Sequence, residues 1–383
     1  MNWARLPPAG DRVTWERGPR NAVRGLFAPW HATLFGSGTQ ALAAALLALR
    51  ERWPARDEVI FAAYNCPALV SATVYAGCHP VLVDYESERP WMDLRALAAR
   101  LSTRTLAVIA VDLLGIPERH AELRGACARV GCALVQDGAQ GFPSRAGERG
   151  WQGDVVVLSF GRGKPVSLLT GGAVLTREDA LHHGLARLAT PGEFDGLVHA
   201  LKVRAYNLLR HPWLYRLPTA LPGLHLGETR YVALQGVSAM PAALEAYLPP
   251  AVNAFRRAAH PQALYPALLA GGSLLDLPTA CRQRAGERLS RYPVLAPDRA
   301  TRDRMLGRLA SLGVSALYGA ILPQVPGVAA HLSGEGVFPA AESFASRLLT
   351  LPNHDGVKRT HISRLAQLLR RDGPVTNLAE AEA

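Results

Sequence analysis

EVIFAAYNCPALVSATVYAGCHPVLVDY, residues 58–85, reads as strand, helix, strand. EVIFAA and HPVLVDY are short apolar runs bounded by turn residues, and PALVSATVYAG between them has the composition and length of a helix. The alternation extends in both directions. Upstream, TQALAAALLALRERW predicts a helix from Thr39 to about Arg52. Downstream, LRALAARLS is a helix, TLAVIAVDLLG a buried strand, and ERHAELRGACARVG a helix ended by Gly131. CALVQD, DVVVLSF and GGAVLT then follow as strands. Such alternation predicts an α/β fold with a mainly parallel sheet flanked by helices.

After Arg177 the regularity fades. The segment from Leu201 to Gly227 mixes arginines, prolines, Trp213 and Tyr215 and predicts no single element. It is a candidate cap over an active site or, with Arg204, Arg210 and Arg216 among Leu, Trp and Tyr, a membrane-touching segment. Helices return from Met240 to Leu269, and RYPVLAPDRATRDRMLGRLASLGVSALY reads as strand, loop, helix, strand. The expected organisation is a large domain over residues 1–245, with an irregular insert at about 201–227, and a smaller C-terminal α/β domain over 246–383. Polar residues Asp372 to Ala383 are expected to fray.

The 383 residues are 49% hydrophobic and 19% charged, enough to bury a large core. No run of about 18 apolar residues is present, and MNWARLPPAGDR lacks the apolar core of a signal peptide, so a cytoplasmic protein without membrane insertion is expected. Five cysteines without a CxxC pair suggest neither a disulfide framework nor a zinc site, and no metal is expected. The net charge of +11 raises nucleic acid as a partner. Against that, the arginines are scattered among acids and no nucleic-acid motif is visible; an anionic substrate such as a nucleotide sugar suits the charge better. Of 42 basic residues only Lys164, Lys202 and Lys358 are lysine. Guanidinium cannot supply the amine that forms an imine, so each retained lysine is a candidate for amine chemistry.

SFGRGKPVSLLTGG sets Lys164 in a loop after a strongly β-forming run, with Gly161 and Gly163 before it and Gly171 and Gly172 after. Ser159 lies five residues upstream, where its hydroxyl suits a phosphate. A lysine in such a loop is by itself usually just exposed. CALVQDGAQ changes its meaning by placing Asp137 where a parallel strand gives way to a loop, the edge at which such sheets bind ligands. Pyridoxal 5'-phosphate (PLP) needs an acid there, since a carboxylate keeps the pyridine nitrogen protonated and the ring an electron sink. Gln140, three residues on, is placed to hydrogen-bond ring substituents. In FGSGTQAL, Gly36, Ser37, Gly38 and Thr39 run directly into a helix, offering free N–H groups and a hydroxyl to a phosphate. An Asp capping a turn and an ordinary Ser/Thr helix cap are the plain alternatives for the last two segments.

Together and in this order, these segments resemble the DegT/StrS-type nucleotide-sugar aminotransferases, a family of fold type I PLP enzymes. GSGTQAL carries the family's phosphate-binding Gly-Thr pair at Gly38 and Thr39. AGCHPVLVDY looks like its next strand, and Gly115 and Pro117 match its Gly-x-Pro turn. Asp137, Ala139 and Gln140 match its Asp-x-Ala-Gln signature, and Ser159, Phe160, Lys164, Gly171 and Gly172 its serine-to-lysine spacing with paired glycines. RYPVLAPDR and LLTLPNHDGV resemble its carboxy-terminal domain. The resemblance implies a homodimeric aminotransferase with Lys164 as the Schiff-base lysine and proton shuttle. An amino donor such as glutamate and a keto-sugar nucleotide would be its substrates, in polysaccharide or secondary-metabolite sugar biosynthesis.

Three departures mark a divergent branch. The family's ring-stacking aromatic is replaced in AAYNCPAL, leaving Cys66 at that position, or Tyr64 nearby, to contact the ring. Thr170 stands where the family has an acid, and its Asn-x-Arg segment is not recognisable around GETRYVALQGVSAMP. Another PLP reaction on the same scaffold, or a non-catalytic PLP-binding regulator, are the rival functions. Sugar dehydratases that resemble this family carry histidine in place of the lysine, so Lys164 argues against dehydration.

Overall fold

A computed structural model describes residues 5–19, 22–143, 150–215, 229–282, 287–332, 334 and 336–369. Seven strands form its main sheet: β1 (His31–Phe35), β2 (Glu58–Ala62), β3 (His79–Val83), β4 (Thr105–Val111), β5 (Ala133–Asp137), β6 (Val155–Ser159) and β7 (Gly172–Thr176). Their spatial order is β1-β7-β6-β5-β4-β2-β3, and only β7 runs against its neighbours. The expected α/β fold with a mainly parallel sheet is therefore present.

Both faces of this sheet are covered, which is why its central strands read as unbroken apolar runs. Val155, Val157 and Val174 face one core, shared with α2 (Gly38–Arg52) and α3 (Ala68–Tyr75). Val156, Leu158, Ala173 and Leu175 face a second core with Phe27 of α1 (Ala22–Phe27), Leu248, Val252 and Phe255. The two-residue period of a strand sends consecutive side chains to opposite cores. Between β4 and β5 the crossover helix α4 (His120–Val130) ends where Gly131 takes a left-handed conformation at φ 67°, as its glycine predicts.

Two differences from the sequence expectation have local causes. Residues 201–209, expected to be irregular, belong to helix α5 (Gly196–Leu209). Its start is fixed by Asp195, whose carboxylate accepts from the N–H groups of Leu197 and Val198. The helix is hard to read because Leu197, Leu201 and Leu208 point outward, with Leu197 71% exposed. Residues 216–227 of the expected insert, and the tail Asp372 to Ala383, lie outside the described residues. In the C-terminal part, β8 (Leu275–Asp276), β9 (Tyr292–Leu295) and β10 (Leu348–Leu351) form an antiparallel sheet in the order β10-β9-β8. VSALY is not a strand of it: Ser315 makes one isolated bridge to Thr350, and Leu317 turns away at φ 57°.

The segment from Arg5 to Pro19 forms no helix or strand but is strapped to distant parts of the chain. His354 Nε2 bonds the Pro7 carbonyl at 2.9 Å, His260 Nε2 meets the Asp11 carboxylate at 2.9 Å, and Asn207 brackets Val13 through its N–H and carbonyl. No helix among the described residues is long and apolar enough to cross a membrane.

Candidate active site

A cavity of about 290 Å³ opens where β4, β5 and β6 end and α2 begins. The C-terminal edge of a parallel sheet collects loops that the hydrogen-bonded strands hold in fixed register, so it is the natural place for a ligand. Val111, Asp137 and Ser159, the last or near-last residues of those strands, all border it.

The α2 end of the cavity is built by close approach of backbones. Ser37 caps the helix, its hydroxyl accepting from Gln40 N–H at 3.2 Å, which leaves the first-turn N–H groups of Gly38 and Thr39 without a side-chain cap. Gly171 N–H and the Thr170 hydroxyl both donate to the Gly36 carbonyl, at 2.8 and 2.7 Å. This pins the Lys164 loop to the helix start and gives Thr170 its role in place of an acid. A β-carbon on Gly38 would lie 2.5 Å from that of Ser159, and one on Gly172 would lie 2.6 Å from the Ser37 carbonyl. Only glycine at both positions lets β6, β7 and the helix end meet.

Lys164 is presented from the tip of a tight loop. Phe160 N–H donates to Gly171 O and Leu168 N–H to Phe160 O, both at 2.8 Å, closing its base. Lys164 N–H donates to Gly161 O at 3.3 Å, and Gly163 turns the chain at φ 73°. The lysine borders the same cavity as Asp137.

Asp137 is buried, with one carboxylate oxygen accepting from Ala139 N–H at 2.9 Å. Burial pushes its carboxyl above the usual range; the Ala139 N–H and the Lys164 charge pull it back. A cationic ring nitrogen beside it would complete that compensation. Gln140 also borders the cavity, but both ends of its amide are engaged: Oε1 accepts from Leu114 N–H at 2.8 Å and Nε2 donates to the Tyr318 hydroxyl at 2.6 Å.

Gly38, Thr39, Cys66, Asp137, Gln140, Ser159 and Lys164 thus come together on one cavity. Tyr64 does not join them, which corrects its expected role. β2 ends at Ala62, and the turn that follows carries Cys66 to the cavity wall while Tyr64 enters the core at 0% exposure. Its ring packs against Tyr85, Tyr318 and Phe344, with centroids 5.5–6.2 Å away. Sequence reasoning missed Asn65 and Tyr318, which line the same cavity. Asn65 adjoins a residue already singled out, whereas nothing near Tyr318 in sequence signals its arrival. No cluster of His, Cys, Asp and Glu among the described residues is arranged to hold a metal.

Residues 22–208 match the family model of the DegT/DnrJ/EryC1/StrS aminotransferases. The UDP-N-acetyl-3-dehydro-alpha-D-glucosamine 3-aminotransferase of Acidithiobacillus ferrooxidans is 31% identical over 188 residues, 48% of this chain and 50% of that protein. The chain spans about half the length of the curated relatives it matches. The likeness in fold extends over nearly the whole chain. Helicobacter pylori PseC, an aminotransferase involved in pseudoaminic acid biosynthesis, superposes with a TM-score of 0.71 at 16% identity, covering 96% of this chain and 99% of that one. GDP-4-keto-6-deoxy-D-mannose-3-dehydratase of E. coli gives 0.72 at 16% identity, with coverage of 96% and 99%. A fold shared by an aminotransferase and a dehydratase leaves the choice of reaction to the side chains.

Proposed function

We propose that this chain, whose residues 22–208 match the DegT/DnrJ/EryC1/StrS aminotransferase family model, is a PLP-dependent aminotransferase of that family acting on a keto sugar, nucleotide-linked, in surface-polysaccharide or secondary-metabolite sugar biosynthesis. The observation that carries this reading is the convergence of Lys164, Asp137, Ser159 and the Gly38–Thr39 helix start on one cavity.

The residues present fit PLP. A cradle that any β-carbon at Gly38 or Gly172 would fill stands beside hydroxyl and N–H donors, and the buried Asp137 carboxyl shares the cavity with Lys164. Gly38 and Thr39 N–H groups, with the hydroxyls of Thr39 and Ser159, would hold the phosphate at the positive end of α2. Asp137 would hold a proton on the pyridine nitrogen, and its own burial strengthens that charge pairing. Cys66 would border the ring through its polarizable sulfur. PLP, when bound, supplies an aldehyde for amine exchange and a ring that accepts the electrons of a deprotonated carbon. Lys164 Nζ would take the proton from the donor's α-carbon and later return one to the sugar carbon that receives nitrogen.

Lys164 also favours transamination over dehydration, for which related enzymes carry histidine. We read the amino donor as glutamate, the assembly as a homodimer, the location as cytoplasmic, and residues 1–245 and 246–383 as the large and small domains. The test is stoichiometric: with glutamate and a keto-sugar nucleotide, 2-oxoglutarate and an aminosugar should appear in equal amounts. Loss of water from the sugar without 2-oxoglutarate would replace this reading by dehydration; PLP binding with no amine exchange from any donor would favour a regulator.

A further inference from the structure

α5 turns an apolar face outward. Leu197, Val198, Leu201 and Leu208 are between 44% and 71% exposed, and Trp213, just beyond the helix end, is 61% exposed. At about 100° per residue these four aliphatic side chains span an arc of about 100°, with Arg204 about 20° beyond one border and Lys202 about 40° beyond the other. Both cations are exposed, and among the described residues neither has an acidic partner. The opposite face packs on the protein. Val203 is buried, His199 Nε2 donates to the Leu168 carbonyl in the lysine loop at 3.0 Å, and Asn207 holds Val13 of the N-terminal strap by two hydrogen bonds of 2.9 Å. The outward leucines take no part in that packing, and a contiguous apolar patch left in water marks a contact surface.

Charge decides what such a surface fits. Residues 196–227 contain no Asp or Glu and four Lys or Arg, namely Lys202, Arg204, Arg210 and Arg216. The nearest preceding acid, Asp195, has its carboxylate on the N–H groups of Leu197 and Val198, and the carboxylate of Asp355 is paired with Arg210. A second copy laid on the stripe about a two-fold axis would bring its own Lys202 and Arg204 to the same rim, with no acid in the segment to meet them. An anionic bilayer meets both features at once. Its headgroup phosphates form a continuous layer of negative charge for the flanking cations, whose aliphatic stems lie along apolar surface, and the acyl boundary beneath accepts the leucines. Trp213 has the amphipathic ring that settles at headgroup level. Because α5 is already held by the strap and the lysine loop, docking requires no folding step.

We propose that the outward face of α5, with Trp213, docks this protein on an anionic lipid surface without crossing it. The inference goes beyond the aminotransferase reading and stands independently of it. It concerns where the protein works, and none of its residues lines the Lys164 cavity.

The test is sedimentation of the full chain with vesicles of phosphatidylcholine alone and of phosphatidylcholine with about one-third phosphatidylglycerol. Binding should be at least about tenfold stronger on the anionic vesicles and should weaken as salt rises. Leu201→Gln with Leu208→Gln, which keeps helix propensity at two exposed positions, should reduce binding by roughly tenfold or more. Lys202→Gln with Arg204→Gln should lower it by roughly tenfold. Val337→Gln, at an apolar position 86% exposed outside α5, should leave it unchanged. Trp213 emission should shift to the blue on the anionic vesicles, and Trp213→Phe should remove that shift. Circular dichroism and Tm check that each variant remains folded. No binding to either vesicle, equal binding to both, or full binding by the leucine variant would overturn the proposal. So would two further results. Loss of binding in the charge variant alone marks a surface for an acidic protein or another polyanion, and a fall in the solution mass of the leucine variant without vesicles marks a contact between copies of this chain.

Discussion

Gly38 and Ser159 are packed so closely that a β-carbon on the first would lie 2.5 Å from the β-carbon of the second. The contact joins the start of α2 to the end of β6, so it fixes the distance between the two halves of the phosphate cradle. Gly38→Ala should push them apart. PLP affinity is expected to fall by at least about tenfold, measured by equilibrium dialysis, with a loss of several degrees in Tm. The double variant Gly38→Ala, Ser159→Gly should recover Tm but not affinity, because it restores space while removing a phosphate donor.

Asp137→Asn keeps an oxygen for the Ala139 N–H, at 2.9 Å in the parent chain, and removes only the charge. Folding should be retained by circular dichroism. The rate of amine exchange with glutamate should drop on the order of 10²-fold or more, the scale for losing control of a proton in the transition state. A decrease below threefold would contradict the role assigned to Asp137.

Cys66 is half-buried on the cavity wall, whereas Cys78, Cys127, Cys132 and Cys281 are buried. Iodoacetamide should therefore modify Cys66 first, and PLP should slow that reaction by roughly tenfold through occupation of the cavity. Tyr64→Phe, by contrast, removes only two hydrogen bonds of 3.4 Å and should leave PLP affinity within about threefold. Peptide mass spectrometry of the alkylated protein measures the first effect.

His354 ties the N-terminal strap to the C-terminal part in one protonation state. Its Nε2 donates to the Pro7 carbonyl and its Nδ1 accepts from Gly356 N–H, an arrangement that requires the neutral ring. Burial and the nearby Arg210 hold its pKa down at about 4, with the Pro7 carbonyl, Asp11 and Asp355 acting in the opposite direction. The folded value lies below the ordinary 6.5, so the folded state binds fewer protons between the two. Stability from this group is complete above about pH 6.5 and is lost as pH falls toward 4, by about 3 kcal/mol at most. Hydrogen-exchange protection factors of residues 5–13, taken relative to the intrinsic rate at each pH, should fall over that window, and His354→Gln should flatten the dependence.

What the sequence disclosed and what it hid follow from how far apart the deciding residues lie. β2, α3 and β3 are legible because each is a short run whose burial is written into its own composition, with glycine and proline at the joints. The cradle and Asp137 are legible because each needs particular residues next to one another along the chain. α5 is obscure because its apolar residues Leu197, Leu201 and Leu208 face outward, so their spacing indicates no core. The choice between Tyr64 and Cys66 turns on two residues' worth of chain after β2, where backbone geometry rather than residue type decides which side chain reaches the cavity. Tyr318 is hidden for the plainest reason: it meets Gln140 across 178 positions of sequence.

The central claim is that Lys164 Nζ is the amine that engages PLP, and the scarcity of lysine makes it unusually direct to test. Only Lys164, Lys202 and Lys358 offer a side-chain amine, so borohydride reduction of the PLP-loaded protein followed by peptide mass spectrometry has few places to look. The account predicts one phosphopyridoxyl group per chain on the Lys164 peptide, and none on the Lys164→Ala variant. A label on Lys202 or Lys358, or an equal label on wild type and Lys164→Ala, would contradict it.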